Sequence, residues 1–392
     1  MAMNLSLGLL VAIGASAALV NTVACSAKVT VDMGSNELTT GGMTSSTTLS
    51  TGGTTSSITP STGGATVQPF EIIAGDTTIF EITADSGWVY WPAADTNTGS
   101  TQSSATLSIR TYSASADAGA VNTSLLATIL PTFVYPPTGL KIDGDWMYWT
   151  AQAYDTSDMG RLYRCRKSGC SDVQFMGMHP GWYTVANGEL YWTIDSSILS
   201  CDADDCSATT RTIDVQTPSG QPKFQGAGLL AVDGDYLYMD WGGGLARVPL
   251  VGSAPYEAIE PREPYSYFIQ GDRIYWTEHT NPQAVYSCPK SGCTGDPTPV
   301  MKNISYGQHI AHDDDTIYVL DAPNFPSSGN PRLLRCPIAG CDEPVVVLGQ
   351  EFNTFAVASD NRNIFAVVNW RSNPAGYCSG ASNCYLVLMI PK

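Results

Sequence analysis

One phrase recurs seven times along this chain: a small hydrophobic strand, a turn built on Asp-Gly-Asp or a relative of it, and an aromatic strand such as Tyr-Trp-Thr. Neighbouring copies are 37 to 58 residues apart. They centre on Tyr90, Tyr148, Tyr191, Tyr238, Tyr275, Tyr318 and Phe365. This period is typical of β-propeller blades, which have four strands each. The sequence therefore predicts an all-β fold with a single propeller.

The repeats also predict how the ring is built. Their count indicates seven blades, although six or eight remain open. The last repeat offers only Ile364 to Val368 as a second strand and Tyr385 to Ile390 as a third. The segment Phe70 to Ala74 precedes the first repeat and has no blade of its own. We expect this N-terminal strand to join the last blade and close the ring, which would leave few exposed edges.

The first residues have the layout of an export signal. An apolar stretch of 16 residues, Leu5 to Val20, precedes Thr22-Val23-Ala24-Cys25, as expected before a cleavage site. A membrane-spanning helix needs roughly 20 apolar residues, so this stretch is too short to span comfortably. The segment resembles a bacterial lipoprotein signal, and that resemblance implies lipidation of Cys25. Ordinary secretion, with Cys25 unmodified, is the alternative.

The composition divides the chain into three parts. We expect residues 1–24 to be the signal peptide. Residues 25–67 would form a lipid-anchored tether, because from Ser35 onward they are mostly Ser, Thr and Gly and have little to bury. The remainder, 68–392, would be the propeller.

The cysteines predict an oxidising compartment. Ten of the 11 cysteines form five close pairs, and Cys25 is left over. The pairs are Cys165/Cys170, Cys201/Cys206, Cys288/Cys293, Cys336/Cys341 and Cys378/Cys384. In the fourth repeat, Val248 to Ser253 keeps the turn in register and loses both cysteines together, so we interpret the pairs as disulfides that clip local hairpins. Zinc would need four converging ligands, and pairs on different blades would lie far apart.

Charge excludes some partners. The formal net charge is −17 and the basic residues are scattered, which argues against nucleic acid or an anionic membrane surface as a ligand. We expect a monomer that contacts a membrane only through an N-terminal lipid.

The aromatic strands carry a family resemblance. Tyr148-Trp149-Thr150, Tyr191-Trp192-Thr193 and Tyr275-Trp276-Thr277 resemble the YWTD class of β-propeller repeat, and residues 68 to 392 are similar to bacterial lipoproteins with such repeats. The resemblance implies an extracellular binding domain. Rings of that class have six blades, whereas the repeats here number seven.

Binding residues are expected in the connections from second to third strand and from fourth strand to the next blade. These connections are long and individual, and mix aromatic with polar residues suited to a protein or carbohydrate. The candidate binding face consists of Tyr154, Trp182, Trp241, Tyr265, Glu278, His279, Asp321, Trp370 and Arg371.

Other polar residues are interpreted as structural. Turn aspartates recur at Asp85, Asp143, Asp233, Asp313 and Asp360, with Ala186 and Gln270 as exceptions. His309 and His312 precede three aspartates, but three residues apart on a strand they are expected on opposite faces, so we predict no metal site.

Catalysis is not indicated by any familiar motif. The chain has no Gly-x-Ser-x-Gly, His-Glu-x-x-His or Walker phrase, and we predict no cofactor and no catalytic residues. The preferred hypothesis is an exported cell-envelope lipoprotein, anchored at the outer membrane or cell surface, that acts as a binding or scaffold module. A hydrolase or lyase with carboxylates at the mouth of the central channel is the alternative, because propeller enzymes can assemble a site from several blades.

Overall fold

The computed structural model describes the chain except for some segments. These are residues 1–28, 32–47, 51–52, 56–69, 77–78, 80, 86, 96–105, 114–123, 130–137, 152–159, 171, 179, 196, 219–227, 252–253, 279–282, 323–329 and 370–384. Cys25 and most of the predicted tether lie outside the described residues. Short strands precede the repeats: β1 (Val29–Val31), β2 (Thr48–Ser50), β3 (Gly53–Thr55) and β4 (Phe70–Asp76). Strands β2 and β3 form a separate two-stranded sheet.

The described repeats form six four-stranded antiparallel blades. The first contains β5 (Thr83–Asp85), β6 (Trp88–Asp95), β7 (Thr106–Ser113) and β8 (Ser124–Ile129). The second contains β9 (Thr138–Asp143), β10 (Trp146–Ala151), β11 (Arg161–Arg166) and β12 (Gln174–Phe175). The third contains β13 (Tyr183–Ala186), β14 (Glu189–Ile194), β15 (Ser197–Asp202) and, after the helix α1 (Cys206–Thr209), β16 (Arg211–Ile213).

The remaining blades follow the same order. The fourth contains β18 (Gly228–Asp233), β19 (Tyr236–Asp240), β20 (Leu245–Pro249) and β22 (Glu257–Glu260), and its extra strand β21 (Ala254–Pro255) pairs in parallel with β17 (Val215–Gln216) of the third blade. The fifth contains β23 (Pro264–Gln270), β24 (Arg273–Glu278), β25 (Val285–Pro289) and β26 (Thr298–Met301). The sixth contains β27 (Gly307–His312), β28 (Thr316–Asp321), β29 (Arg332–Pro337) and β30 (Val345–Leu348). A 3-10 turn, Gln350–Phe352, follows.

Both ends of the described chain meet in a five-stranded sheet, here called the terminal sheet. It contains β31 (Thr354–Ser359), β32 (Asn363–Asn369) and β33 (Tyr385–Pro391), and β4 and β1 follow β33 in the order β31-β32-β33-β4-β1. The predicted pairing of the Phe70 strand with the Tyr385 strand is present, with Leu388 opposite Ile72. The prediction of seven like blades is corrected to six four-stranded blades, because the seventh repeat supplies only three strands of its own.

The core lies between neighbouring sheets. Trp149 of the second blade is fully buried in a cluster that includes Tyr90 of the first. Another cluster joins Trp91 of the first blade to Phe365 of the terminal sheet. Aromatic residues at one position of each repeat therefore pack between sheets, because large rings bury the most apolar area there.

The blade topology creates two faces. Turns between first and second strands, and loops between third and fourth strands, lie on one face, here called the turn face. The other connections lie on the loop face, so the first strand of each blade begins at the loop face and runs to the turn face.

Among the described residues, no helix has the length and apolar character needed to cross a membrane.

Four of the five predicted disulfides are present. They join Cys165 to Cys170, Cys201 to Cys206, Cys288 to Cys293 and Cys336 to Cys341. Each closes the loop after a third strand, with Cα–Cα separations of 4.9 to 5.8 Å. The fifth pair, Cys378 and Cys384, lies outside the described residues.

Candidate functional site

The first strands of several blades are irregular where they begin, at the loop face. The pairing with the second strand shifts between Gly228 and Ala231 in the fourth blade and between Pro264 and Ser266 in the fifth. Shifts also occur between Gly307 and Ile310 in the sixth blade and between Thr354 and Ala356 in the terminal sheet. A β-bulge changes the direction of a side chain and is common near functional sites.

Aromatic residues lie at or close to the loop-face ends of the first strands, some of them within these shifts. We call the set Trp182, Tyr265, Tyr306, His309 and Phe355 the mouth cluster. Tyr265 and Phe355 are the extra residues at two of the shifts. The ring of Tyr265 is perpendicular to Tyr306, with centroids 6.3 Å apart, and to His309, with centroids 6.0 Å apart. The loop-face ends of the first strands therefore present an aromatic wall across the fifth and sixth blades.

Trp182 is the most exposed aromatic residue of the mouth cluster. Its side chain is 53% exposed. Its backbone is fixed to the second strand, because Trp182 N donates to Thr193 Oγ1 (3.0 Å) and Thr193 N donates to Trp182 O (2.9 Å). A Cβ atom on Gly228 of the next blade would lie 3.4 Å from the indole nitrogen, so the ring rests close to the fourth blade. Ile194, 43% exposed, lies beside Thr193. An exposed apolar side chain is thus held on a rigid backbone.

His309, the histidine of the mouth cluster, favours the neutral form of its imidazole at neutral pH. Desolvation lowers the pKa of His309 below its ordinary value of 6.5, although part of the side chain stays exposed. A neutral imidazole offers one donor and one acceptor to a ligand. His309 therefore adds hydrogen-bonding capacity to the aromatic wall without adding charge at neutral pH.

Two carboxylates predicted on the binding face are instead buried in ion pairs. Glu278 is 2% exposed, and its Oε1 lies 2.7 Å from Arg262 Nη1. Arg262 Nε also donates to Glu260 Oε1 at 2.7 Å. Desolvation raises the pKa of Glu278, Arg262 opposes that shift, and Glu260 adds to it. The side chain of Glu278 therefore lies in the seam between the fourth and fifth blades.

Asp321 is the other buried carboxylate, with no exposed surface. Its Oδ1 accepts the amides of Ser305 (2.8 Å) and Tyr306 (2.7 Å), and its Oδ2 accepts Arg332 Nε (2.9 Å). These bonds fix the segment that carries Tyr306. Asp321 therefore supports the mouth cluster, and its predicted place on an exposed face is wrong.

The other predicted face residues divide into two groups. Trp241 is 5% exposed and packs on Tyr256, with ring centroids 5.0 Å apart, so its predicted exposure is also wrong. Its ring is covered because the fourth blade turns sharply through Gly242 and Gly244, both at positive φ. Tyr154, His279, Trp370 and Arg371 lie outside the described residues.

The prediction for His309 and His312 needs correction in one respect. Both rings contact the fifth blade, since His309 meets Tyr265 and His312 stacks on Phe268 at 4.0 Å. The shift between Gly307 and Ile310 interrupts the strand alternation on which the expectation of opposite faces was based. No group of three or more His, Cys, Asp or Glu side chains suited to a metal occurs in the described part of the chain.

The sequence did not lead us to place Tyr306, His309 or Phe355 on the binding face. A signal was available, because an aromatic residue stands near the start of the first strand in the third, fifth and seventh repeats, as Trp182, Tyr265 and Phe355. Comparing the repeats at that position, rather than the connections alone, would have added Phe355 to Trp182 and Tyr265, which the connections had already indicated.

Comparisons with known proteins inform on architecture alone. No family model matches the chain, and no curated protein is significantly similar to it. Solved structures with a similar arrangement include the AfRom2 CNH domain, at 8% identity and a TM-score of 0.49 over 81% of this chain and 98% of that one. Raptor from Chaetomium thermophilum has 9% identity and a TM-score of 0.49 over 82% of this chain, which spans only 29% of Raptor.

Hsv2p from Kluyveromyces lactis is similar at 7% identity, with a TM-score of 0.40 over 59% of this chain and 71% of that one. Similarity at these levels carries no argument about partners or activity.

Proposed function

We propose that this protein is an exported binding module whose mouth cluster holds a carbohydrate or a protein. The observation that carries the proposal is Trp182, an indole 53% exposed on a backbone fixed by Thr193. Tryptophan and tyrosine supply large contact areas with little loss of conformational freedom, and they dominate binding energy where they are exposed at a recognition surface. Tyr265, the extra residue of a bulge, adds a second aromatic position on the loop face beside Tyr306 and His309, and Phe355 adds a third, packed on Tyr385.

Binding fits the loop face better than catalysis does. Glu278 and Asp321 are buried against Arg262 and Arg332, and a carboxylate held in an ion pair is a poor nucleophile or base. The alternative, a propeller hydrolase or lyase, is supported by the raised pKa of Glu278, since a general acid needs such a shift. Hydrolysis would require Glu278 to leave Arg262.

We further propose that the terminal sheet completes the ring. Its residues share apolar clusters with the first blade, through Trp91 and Phe365, and with the sixth, through Leu333 and Leu388. The N-terminal strand β4 would then join the two ends of the chain within one sheet, which leaves fewer unpaired edges.

The cellular setting belongs to the same proposal. A signal peptide at residues 1–24, a lipid on Cys25 and a Ser/Thr/Gly tether would place a monomeric propeller at the cell envelope, and without the lipid the protein would be secreted. The four disulfides support an oxidising compartment. The YWTD-like strands support an extracellular binding role.

Trp182→Ala tests the proposal. Purified protein is incubated with isolated envelopes of the organism that encodes it, and bound protein is measured after sedimentation. We expect Trp182→Ala to weaken binding at least tenfold, on the order of the loss for a central aromatic contact. Trp88→Ala is the matched control, because Trp88 is 41% exposed beside the Asp85 turn on the opposite face.

Pretreatment of the envelopes identifies the ligand class. Periodate cleaves vicinal diols and would abolish binding to a carbohydrate, whereas protease would abolish binding to a protein. Equal binding by wild type and Trp182→Ala, or an equal loss in Trp88→Ala, would contradict a binding site at the mouth cluster.

A further inference from the structure

The disulfide-closed loops contact the preceding blade. In the sixth blade, Cys341 N donates to Val300 O (2.8 Å) of the fifth blade, and Lys302 N of the fifth donates back to Cys341 O (3.2 Å). In the fifth blade, Cys293 N donates to Ile259 O (3.3 Å) of the fourth. In these two loops the second cysteine is thus hydrogen-bonded to the fourth strand of a neighbour, so the loop crosses a seam between blades.

Lysines in these loops cross the seam as well. Lys167, in the Cys165 loop, places Nζ 2.5 Å from Oδ2 of Asp85 in the first blade. Lys290, in the Cys288 loop, pairs in the same way with Asp233 of the fourth blade. The turn aspartates therefore do more than shape their own hairpins.

The exceptions to the turn aspartate follow the same pattern. Ala186 stands at that position in the third blade and Gln270 in the fifth. The loops after the third strand in the next blades, the fourth and the sixth, carry Leu250 and Ile338 where the fifth blade has Lys290. Leu250 N and Ile338 N bond the turn of their own blade, to Asp235 O and Asp315 O, as Lys290 N bonds Asp272 O. The backbone hydrogen bond is therefore kept in the fourth, fifth and sixth blades. The lysine is present in the fifth blade, because the fourth blade has the turn aspartate, Asp233, that pairs with it.

The loops of the third and fourth blades are held by other means. The fourth blade, which lacks the cysteines, joins the third through the parallel pairing of Val215 with Ala254, and Tyr256 N donates to Gln216 O (3.0 Å). The third blade has cysteines and no lysine, and Arg164 of the second blade donates to its Ala203 O at 2.7 Å. In these blades too, the loop after the third strand is attached to the blade before it.

We propose that these loops are straps that hold each of the second to sixth blades to the preceding one, and that the disulfides stabilise the seams between blades rather than single hairpins. A five-residue clip restricts its own hairpin little, because so short a loop has little entropy to lose. Its larger effect is to hold the backbone of Cys341 or Cys293 against the neighbouring strand. Fixed seams on the turn face would keep the blades, and with them the mouth cluster, in a constant arrangement.

Hydrogen exchange at the seam between the fifth and sixth blades tests the proposal. The variant Cys336→Ala/Cys341→Ala is compared with wild type, and exchange is followed at the Lys302 amide, whose acceptor is Cys341 O. We expect exchange at Lys302 to accelerate at least about tenfold, as for local opening. Amides of the sixth-blade strand Val345–Leu348 should change less. Amides of Leu245–Pro249, in the fourth blade, which has no cysteines, are the internal control.

A second variant separates the strap from the disulfide. Gly340→Ala keeps both cysteines, but Gly340 has a φ of +109°, and its new Cβ would lie 3.1 Å from Val300 O. We expect it also to accelerate exchange at Lys302, and it remains informative if the cysteine variant does not fold. Exchange that accelerates only within Val345–Leu348, with Lys302 unchanged in the variants that fold, would overturn the proposal.

Discussion

Asp321 and Arg332 form a buried ion pair, with Oδ2 of the carboxylate 2.9 Å from Nε and 2.8 Å from Nη2 of the guanidinium. The second carboxylate oxygen accepts the amides of Ser305 and Tyr306. One side chain thus connects a strand of the sixth blade to the segment that carries part of the mouth cluster. Stability and the shape of the loop face depend on the same group.

Removing this carboxylate should be severe. We expect Asp321→Ala to lower the free energy of unfolding by about 3 to 5 kcal/mol, because it leaves a partly buried guanidinium and two amides without their acceptor. Chemical denaturation followed by tryptophan fluorescence measures the change. Asp145→Ala, whose carboxylate is largely exposed and 4.0 Å from Arg166, should change it by less than about 1 kcal/mol. Equal effects of the two variants would refute the role of Asp321.

Acid should weaken the contact between the terminal sheet and the sixth blade. Burial raises the pKa of Asp313, but bonds from Lys392, the Asp315 amide and Tyr318 more than offset this and leave it below 3.8. A carboxylate with a lower pKa in the folded state contributes stability above its unfolded pKa and loses that contribution as pH falls through the folded pKa.

We therefore expect Asp313→Asn to be less stable than wild type at pH 7, with the difference shrinking below about pH 4. Denaturant titrations at several pH values between 7 and 3 measure this difference. Asp314→Asn, at an exposed neighbour, should follow the wild-type profile. A difference between Asp313→Asn and wild type that stays constant with pH would exclude this carboxylate as the source.

Truncation tests both the domain boundary and ring closure. A chain beginning at residue 68 keeps β4, and we expect it to fold cooperatively. A chain beginning at residue 77 lacks β4, which pairs with β33 from Tyr385 to Met389, and should lose several degrees in Tm because an edge strand is exposed. Thermal melts of the two chains provide the comparison, and identical melting would contradict closure by β4.

Lipidation of Cys25 is testable in cells. We expect the wild-type protein to partition into the detergent phase of a Triton X-114 extraction and to incorporate labelled palmitate, because acyl chains confer membrane affinity. Cys25→Ser should move the protein to the aqueous phase and abolish labelling. Ser26→Ala is the control and should behave as wild type. Labelling that persists in Cys25→Ser would place the modification elsewhere.

The repeat period was enough to predict an all-β propeller, because a chain that presents strand, Asp-Gly turn and aromatic strand at blade-sized intervals must bury one aromatic face after another. The cysteine pairs could be predicted as disulfides for a similar reason, because the fourth repeat has Val248 and Ser253 in place of both cysteines at once. Local pattern alone therefore predicted four disulfides that the structure contains.

Tertiary structure decided which polar and aromatic side chains are available to a ligand. Arg262 lies in the bend before the fifth blade and Arg332 on the third strand of the sixth, away from the strands of Glu278 and Asp321, and nothing in the sequence pairs them. Bulges shift the alternation of side chains along the first strands, so periodicity could not place Tyr265 or His309. The partners of the turn aspartates lie one blade away, and only the packing of blades brings Lys167 to Asp85. Sequence thus determined the repeating unit, whereas the contacts between units, which join residues far apart in the chain, determined the surface.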